Sequence, residues 1–271
     1  EELKKEFPEF NFVPVYWMAS EDHDFEEVNN FNVFSKNFKW ETKQGGAVGD
    51  IKTGELKDLF VLIKESLGAT ENAVYLSSLF EKAYLNHNNL KDATRFLVNE
   101  LFGTYGLVIV DGHDDQFKQQ FKTVLEKEIF ENTSFENVKE STGALNTLGY
   151  NTQVNPRPIN CFYIEENLRG RIEKAGNKFN VVGTELSFTE EELKNIVKND
   201  PEKISPNVVL RPVYQQCILP NIAYIGGPGE LAYWLQYKKM FDALNVFFPI
   251  LMPRNFVTVI DAGTKNKGPG P

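Results

Sequence analysis

Asn11-Phe-Val-Pro-Val-Tyr-Trp-Met18, followed at once by Ala19-Ser-Glu-Asp-His-Asp24, is the stretch whose reading decides the fold. An uninterrupted apolar run this short predicts a strand buried on both faces of a parallel sheet, because a half-solvated strand would alternate apolar with polar residues. Three more runs share the pattern: Gly106-Leu-Val-Ile-Val-Asp111, Asn221-Ile-Ala-Tyr-Ile225 and Val246-Phe-Phe-Pro-Ile-Leu-Met252. Each leads into a Gly, Pro or charged loop. Helical periodicity separates them, over Glu55 to Leu67, Phe80 to Phe102, Gln116 to Phe130, Phe135 to Leu148 and Leu231 to Leu244. Strands alternating with helices predict an α/β, doubly wound parallel sheet whose ligand crevice lies outside the carboxyl ends of the strands.

Two regions break this rhythm. Residues 32–54 read as short strands and turns, a small insert. Residues 153–205 offer a hairpin of Asn160 to Ile164 with Phe179 to Val182, then Thr189-Glu-Glu-Glu192, a capping box that opens a helix to about Val197. The expected organisation is therefore a first core segment over 1–31, the insert 32–54, core and helical region over 55–152, a connecting subdomain over 153–205, the last core segment over 206–264 and a linker or tail over 265–271. The chain opens at Glu1 without a methionine, inside an expected helix to Glu6, and closes on Lys-Gly-Pro-Gly-Pro. Both ends are expected to be unnatural, with the chain a fragment whose stability in isolation is in question.

Composition narrows the function classes. Of 271 residues, 41% are apolar, enough to fill an ordinary core. The net charge of −9, with no Lys/Arg run longer than two, argues against a phosphate-tracking surface and for small-molecule chemistry rather than nucleic acid. Two cysteines, Cys161 and Cys217, sit in apolar company, which predicts free thiols in a reducing cytoplasm rather than a disulfide framework. No stretch approaches the roughly 20 apolar residues of a membrane span, and no membrane partner is expected.

Four groups of residues could carry chemistry. Asp22, His23 and Asp24 follow a core strand directly, where this architecture presents ligand-facing groups; they could hold an ammonium, bind sugar hydroxyls or set a base near neutral pH. The plain alternative is a helix N-terminus decorated with acids that suit its dipole. Neighbours on one turn rarely converge on one ion, and His87 and His113 have no ligand spacing, so no metal is expected. Ile225-Gly-Gly-Pro-Gly-Glu-Leu231 joins a strand to a helix, and Gly226, Gly227 and Gly229 would let backbone approach a ligand, with a plain tight turn as the lesser alternative. Asn155 and Arg157, in Asn-Pro-Arg, and Asn207, Arg211 and Gln215, in Ser205-Pro-Asn-Val-Val-Leu-Arg-Pro-Val-Tyr-Gln215, set arginines beside rigid turns, as carboxylate or phosphate readers or as structural ion pairs. Arg254, after the last strand, shares that ambiguity.

Taken together these segments resemble the bacillithiol biosynthesis cysteine-adding enzymes, the BshC family. The resemblance rests on Pro14-Val-Tyr-Trp-Met-Ala-Ser-Glu-Asp-His-Asp-Phe-Glu-Glu27, Gln153-Val-Asn-Pro-Arg157, Ser205 to Gln215, Leu219-Pro-Asn-Ile-Ala-Tyr-Ile-Gly-Gly-Pro-Gly-Glu-Leu-Ala-Tyr-Trp234 and Pro249-Ile-Leu-Met-Pro-Arg254, in family order. It implies a Rossmann-like, class I nucleotidyltransferase-like core with two connecting inserts. It implies a cytoplasmic ligase that joins the carboxyl of cysteine to the amine of glucosaminyl malate, with ATP or another adenine nucleotide as the expected cofactor. On this resemblance Asp22, His23 and Asp24 are the expected catalytic residues; Asn155, Arg157, Asn207, Arg211, Gln215, Tyr233 and Trp234 bind substrate; and Gly226, Gly227, Gly229 and Glu230 shape a nucleotide pocket similar to the adenosine loop of related synthetases. The family's Gly-rich upstream segment and its C-terminal coiled coil, through which a homodimer is expected, have no counterpart here, and no Lys-Met-Ser-Lys-Ser motif occurs. Two other readings stay open: a different nucleotidyltransferase-like enzyme acting on a sugar or small acid, and a non-catalytic binding or assembly module.

Overall fold

The computed structural model describes residues 2–34 and 36–260, so Glu1 and the Gly-Pro tail of 265–271 lie outside the described residues. The first half runs α1 (Glu2–Glu6), β1 (Val15–Met18), α2 (Phe25–Val28), β2 (Asn30–Val33), β3 (Lys36–Lys39), α3 (Lys57–Leu67), α4 (Glu71–Leu85), α5 (Leu90–Phe102) and β4 (Val108–Asp111). β1 and β4 pair in parallel, Val15 opposite Val108 and Met18 opposite Asp111, while β2 and β3 form an antiparallel hairpin. The single helix expected from Phe80 to Phe102 is two. Asn86 to Asn89 interrupts it, and the Asn89 side chain accepts from the Asp92 N–H to start α5, a polar cap that the apolar period alone conceals.

The second half continues with α6 (Asp115–Glu131), α7 (Thr133–Thr147), β5 (Cys161–Glu165), β6 (Leu168–Ala175), β7 (Lys178–Val181), β8 (Ser187–Thr189), α8 (Glu190–Asn199), β9 (Ile204–Pro206), α9 (Arg211–Ile218), β10 (Ala223–Gly226), α10 (Pro228–Trp234), α11 (Lys238–Ala243) and β11 (Ile250–Pro253). The Thr189–Glu192 capping box opens α8 as its sequence predicts. The expected hairpin partners, by contrast, are not neighbours. β6 lies between β5 and β7 in an antiparallel sheet of order β8-β7-β6-β5-β9. Its sequence, Leu-Arg-Gly-Arg-Ile-Glu-Lys-Ala, hides the strand because only Gly170 and Ile172 are fully buried. A Cβ at Gly170 would stand 2.4 Å from Val181 Cγ1, so glycine is what lets β6 lie against β7. The helix expected from Leu231 to Leu244 also divides at Leu235–Tyr237.

The parallel strands depart further from expectation. Among the described residues they form two separate pairs, β1-β4 and β10-β11, rather than one continuous sheet. Nor are they buried on both faces: Tyr16, Val108, Ile225, Ile250 and Met252 are exposed. Each pair has hydrogen-bonding partners on one side of β1 and of β10 only, and these two strands line a common cleft. The main apolar core lies elsewhere, where Phe121, Leu125 and Ile129 of α6 meet Val213 and Tyr214 of α9, Trp234 to Phe241, and the inner face of the antiparallel sheet through Tyr163, Ile172, Phe179 and Ile204. The 153–205 region thus shares the principal core instead of packing as an appendage. No helix among the described residues is long and apolar enough to cross a membrane.

Candidate active-site cleft

Met18 ends β1, and the next three residues turn the chain back under itself. Ser20 is buried and its hydroxyl donates to the Asp111 carboxylate at the end of β4. Glu21 points inward. Its Oε1 lies 2.5 Å from Lys118 Nζ and 3.1 Å from His113 Nδ1, and the Ser205 hydroxyl donates to Oε2 at 3.1 Å. Lys118 is fully buried, donates to the Ile204 carbonyl at 2.9 Å and lies 5.2 Å from the centre of the Tyr214 ring. One carboxylate therefore ties the end of β1 to the β4–α6 loop, to α6 and to β9. Burial would raise the Glu21 pKa, but Lys118 and His113 outweigh it and hold it below the ordinary carboxylate value. The hydrogen bond to Glu21 in turn raises His113 against the opposing effect of burial.

This anchor leaves the next three side chains facing outward. Asp22, His23 and Asp24 are about half exposed, with His23 Nδ1 3.5 Å from Asp22 and Nε2 3.9 Å from Asp24. Asp22 Oδ1 accepts the backbone N–H groups of His23 at 2.6 Å and of Asp24 at 3.4 Å, the second closing an Asx-turn. Their ligand atoms lie within 4.8 Å of one another, but Arg169 Nη1 already lies 2.7 Å from His23 Nδ1. A guanidinium only donates, so Nδ1 accepts and the imidazole carries its proton on Nε2. Arg169 comes from β6 and stacks on Phe162 of β5, 3.8 Å from the ring centre.

Across the cleft stand the residues of α9 and α10. Asn207 Oδ1 accepts the N–H groups of Val209 and Leu210, which shapes the approach to α9, and Arg211 Nη1 donates to Gln215 Oε1 at 2.9 Å. In the glycine loop Glu230 folds back: Gly227 N–H donates to its Oε2 at 2.8 Å, and the Tyr224 hydroxyl donates to Oε1 at 2.5 Å. Burial raises the Glu230 pKa, but these two bonds together with Arg211 and Arg254 pull it below the ordinary range. An internal carboxylate thus occupies the amide an incoming anion would seek. A Cβ on Gly227 would come 3.1 Å from Arg254 Nη2, and one on Gly226 2.8 Å from the Tyr224 ring, so both glycines answer to close packing, whereas Gly229 faces open space.

The cleft, about 1930 Å³, brings together Asp22, His23, Asp24, Asn207, Arg211, Gln215, Glu230 and Tyr233. A pocket for one small molecule is on the order of 300–1000 Å³, so this one has room for more than a single substrate. Six expected site residues do not line it: Gly226, Gly227 and Gly229 in the loop before Glu230, and Asn155, Arg157 and Trp234. Asn155 and Arg157 are exposed and off the cleft, because Asn160 holds their loop from the far side by accepting the Arg157 N–H. Trp234 is 1% exposed and stacks on Tyr224 with ring centres 4.4 Å apart, a core residue. Sequence reasoning missed Arg169, Lys118 and His113. Lys118 falls in a helix recognised by its apolar period alone, and Arg169 on a strand that went unread. Both cysteines are free thiols, and burial pushes Cys217 up to about 11 and Cys161 well above its usual value, so neither is poised as a nucleophile.

Residues 1–255 match the family model described as "Bacillithiol biosynthesis BshC, N-terminal Rossmann-like domain". The chain is 52% identical over 260 residues to a protein of Flavobacterium psychrophilum, covering 96% of this chain and 49% of that one. It is 50% identical over 269 residues to a protein of Christiangramia forsetii, covering 97% and 50%, and 32% identical over 273 residues to one of Chloroherpeton thalassium, covering 96% and 48%. All three carry the name "Putative cysteine ligase BshC". The chain spans about half the length of these curated relatives.

Proposed function

We propose, from the premise that this chain belongs to the BshC family, that it carries part of the active site of a ligase that adds cysteine to an amino sugar in bacillithiol biosynthesis. The observation that carries the reading is the convergence on one cleft of the Asp22-His23-Asp24 turn and the Arg211–Glu230–Tyr233 wall. Amide formation needs the sugar amine delivered neutral to an activated cysteine carboxyl: a C–N bond forms, the activating group leaves the carboxyl carbon, and the amine gives up a proton. Asp22 and Asp24 suit recognition of the amine as an ammonium, and His23 between them suits the proton transfer. The sugar is glucosaminyl malate in this proposal, and ATP or another adenine nucleotide is the activator, with Gly226, Gly227, Gly229 and Glu230 shaping its pocket. Glu230, filling the Gly227 amide, favours a nucleoside rather than a phosphate against that loop. The core is of the class I nucleotidyltransferase-like kind with two connecting inserts, and the enzyme works in the cytoplasm, as a homodimer in its full-length form.

Incubating the full-length protein with cysteine, glucosaminyl malate and each candidate nucleotide, then measuring bacillithiol by mass spectrometry, tests the reading. Product that depends on all three components is expected. No product under any activation condition would overturn it.

A further inference from the structure

Among the described residues Arg169 is the one guanidinium on the acidic side of the cleft, and its bonding is incomplete. No carboxylate among the described residues lies within ion-pair distance of it, and its Nε is buried without a hydrogen-bond partner. Its single side-chain hydrogen bond goes to His23 Nδ1 at 2.7 Å, and one face of the group is covered by Phe162. Stacking holds a guanidinium flat and rigid, which preorganises its edge for a planar, two-oxygen partner. Burial lowers the Arg169 pKa, and the nearby charges of Glu21, Asp22 and Asp24 only partly offset it; the group stays a cation because a guanidinium does not lose its proton in proteins. The group lines the same cleft as Asp22, Asp24 and Asn207.

We propose that Arg169 is a carboxylate-reading residue: it binds a ligand carboxylate at the cleft wall while Asp22 and Asp24 take the ammonium of the same or the adjoining ligand. This rests on the ligase reading above. A ligand with an amine and a carboxylate satisfies both signs of charge at once, which explains why an arginine stands beside an acidic turn. Binding has a consequence for His23. When the carboxylate engages the guanidinium, the Nδ1 lone pair loses its donor and becomes free to accept a proton from the attacking amine. The insert strand β6 thereby couples substrate recognition to the availability of the base. The carboxylate could come from the malate portion of the sugar substrate or from cysteine, and the arms of the experiment separate them.

The test compares the full-length protein with its Arg169→Gln and Arg169→Lys variants. Calorimetry measures binding of glucosaminyl malate, of a methyl glucosaminide with no carboxylate, and of L-cysteine, and steady-state assays give KM and kcat. Losing a charge-assisted pair is expected to weaken the carboxylate-bearing ligand by roughly 10- to 100-fold in Arg169→Gln, with partial rescue in Arg169→Lys. The methyl glucosaminide should bind all three proteins alike. A loss confined to glucosaminyl malate assigns the malate carboxylate, and one confined to L-cysteine assigns the amino acid. Equal loss for the methyl glucosaminide, or unchanged binding of both carboxylate ligands, overturns the proposal and leaves Arg169 as a prop for the acidic turn. Because binding is read without turnover, failure of the ligase reading would appear separately, as absent product from a wild-type protein that still distinguishes these ligands through Arg169.

Discussion

Lys118 and Glu21 are the pair on which the acidic turn is built. Removing the cation while leaving the buried carboxylate, as in Lys118→Met, should cost about 3–5 kcal/mol, read as a fall in unfolding free energy in urea. The same cluster predicts how stability depends on pH. His113 has a raised native pKa, so its contribution is complete below its ordinary value of 6.5 and is lost as pH rises through the native one. Glu21 has a lowered pKa, so its contribution is present above its ordinary 4.5 and is lost as pH falls through the native value beneath it. Thermal midpoints should therefore be highest between these values, and His113→Gln should flatten the alkaline decline while keeping the acid one. At this scale the acidic turn was legible because four polar residues crowd the end of an apolar run. Arg169 was not, since a guanidinium that reaches the turn from 146 residues away in sequence leaves no local trace.

Among the elements, those with a chemical signal at their ends were the readable ones. Thr189 with Glu192 announces α8, whereas α10, expected from Leu231, begins three residues earlier at Pro228, inside the stretch read as a glycine loop. Elements defined by distant partners were unreadable, above all β6, which exists because β5 and β7 flank it and because Gly170 lets them close. Asn160 shows how such partners hold the insert in place: its amide donates to Glu128, to Ser134 and to the Arg157 carbonyl, while its oxygen accepts from Arg157 N–H and the Asn207 amide. Glu128, whose pKa burial raises against the hydrogen bonds from Ser134 and Asn160, would be left under-satisfied in Asn160→Ala. That variant should lose about 2–3 kcal/mol, measured by chemical denaturation. Asn89→Ala, which removes the cap of α5, should lose only about 1 kcal/mol in the same experiment.

At the level of the molecule, the alternation of strand and helix correctly indicated parallel pairing, and the family resemblance a Rossmann-like domain, whereas among the described residues the continuous sheet is replaced by two one-sided pairs. Apolar content identifies a strand but not how many neighbours it has. The main core therefore formed around the antiparallel sheet and α6, and the parallel pairs should be the weaker structure. Native-state hydrogen exchange of the 271-residue chain is expected to show faster exchange at β1, β4, β10 and β11 than at β5 and β6. The cleft between those pairs is where the proposed chemistry resides, and its decisive part is the Asp22-His23-Asp24 turn. The most direct measurement is kcat/KM for bacillithiol formation by full-length His23→Ala and Asp22→Asn beside wild type, with melting curves taken on the same samples. The account predicts a fall of roughly 100-fold or more at unchanged thermal midpoint, the scale of a lost general base. Turnover equal to wild type in both variants would contradict it and leave the turn as a decorated helix start.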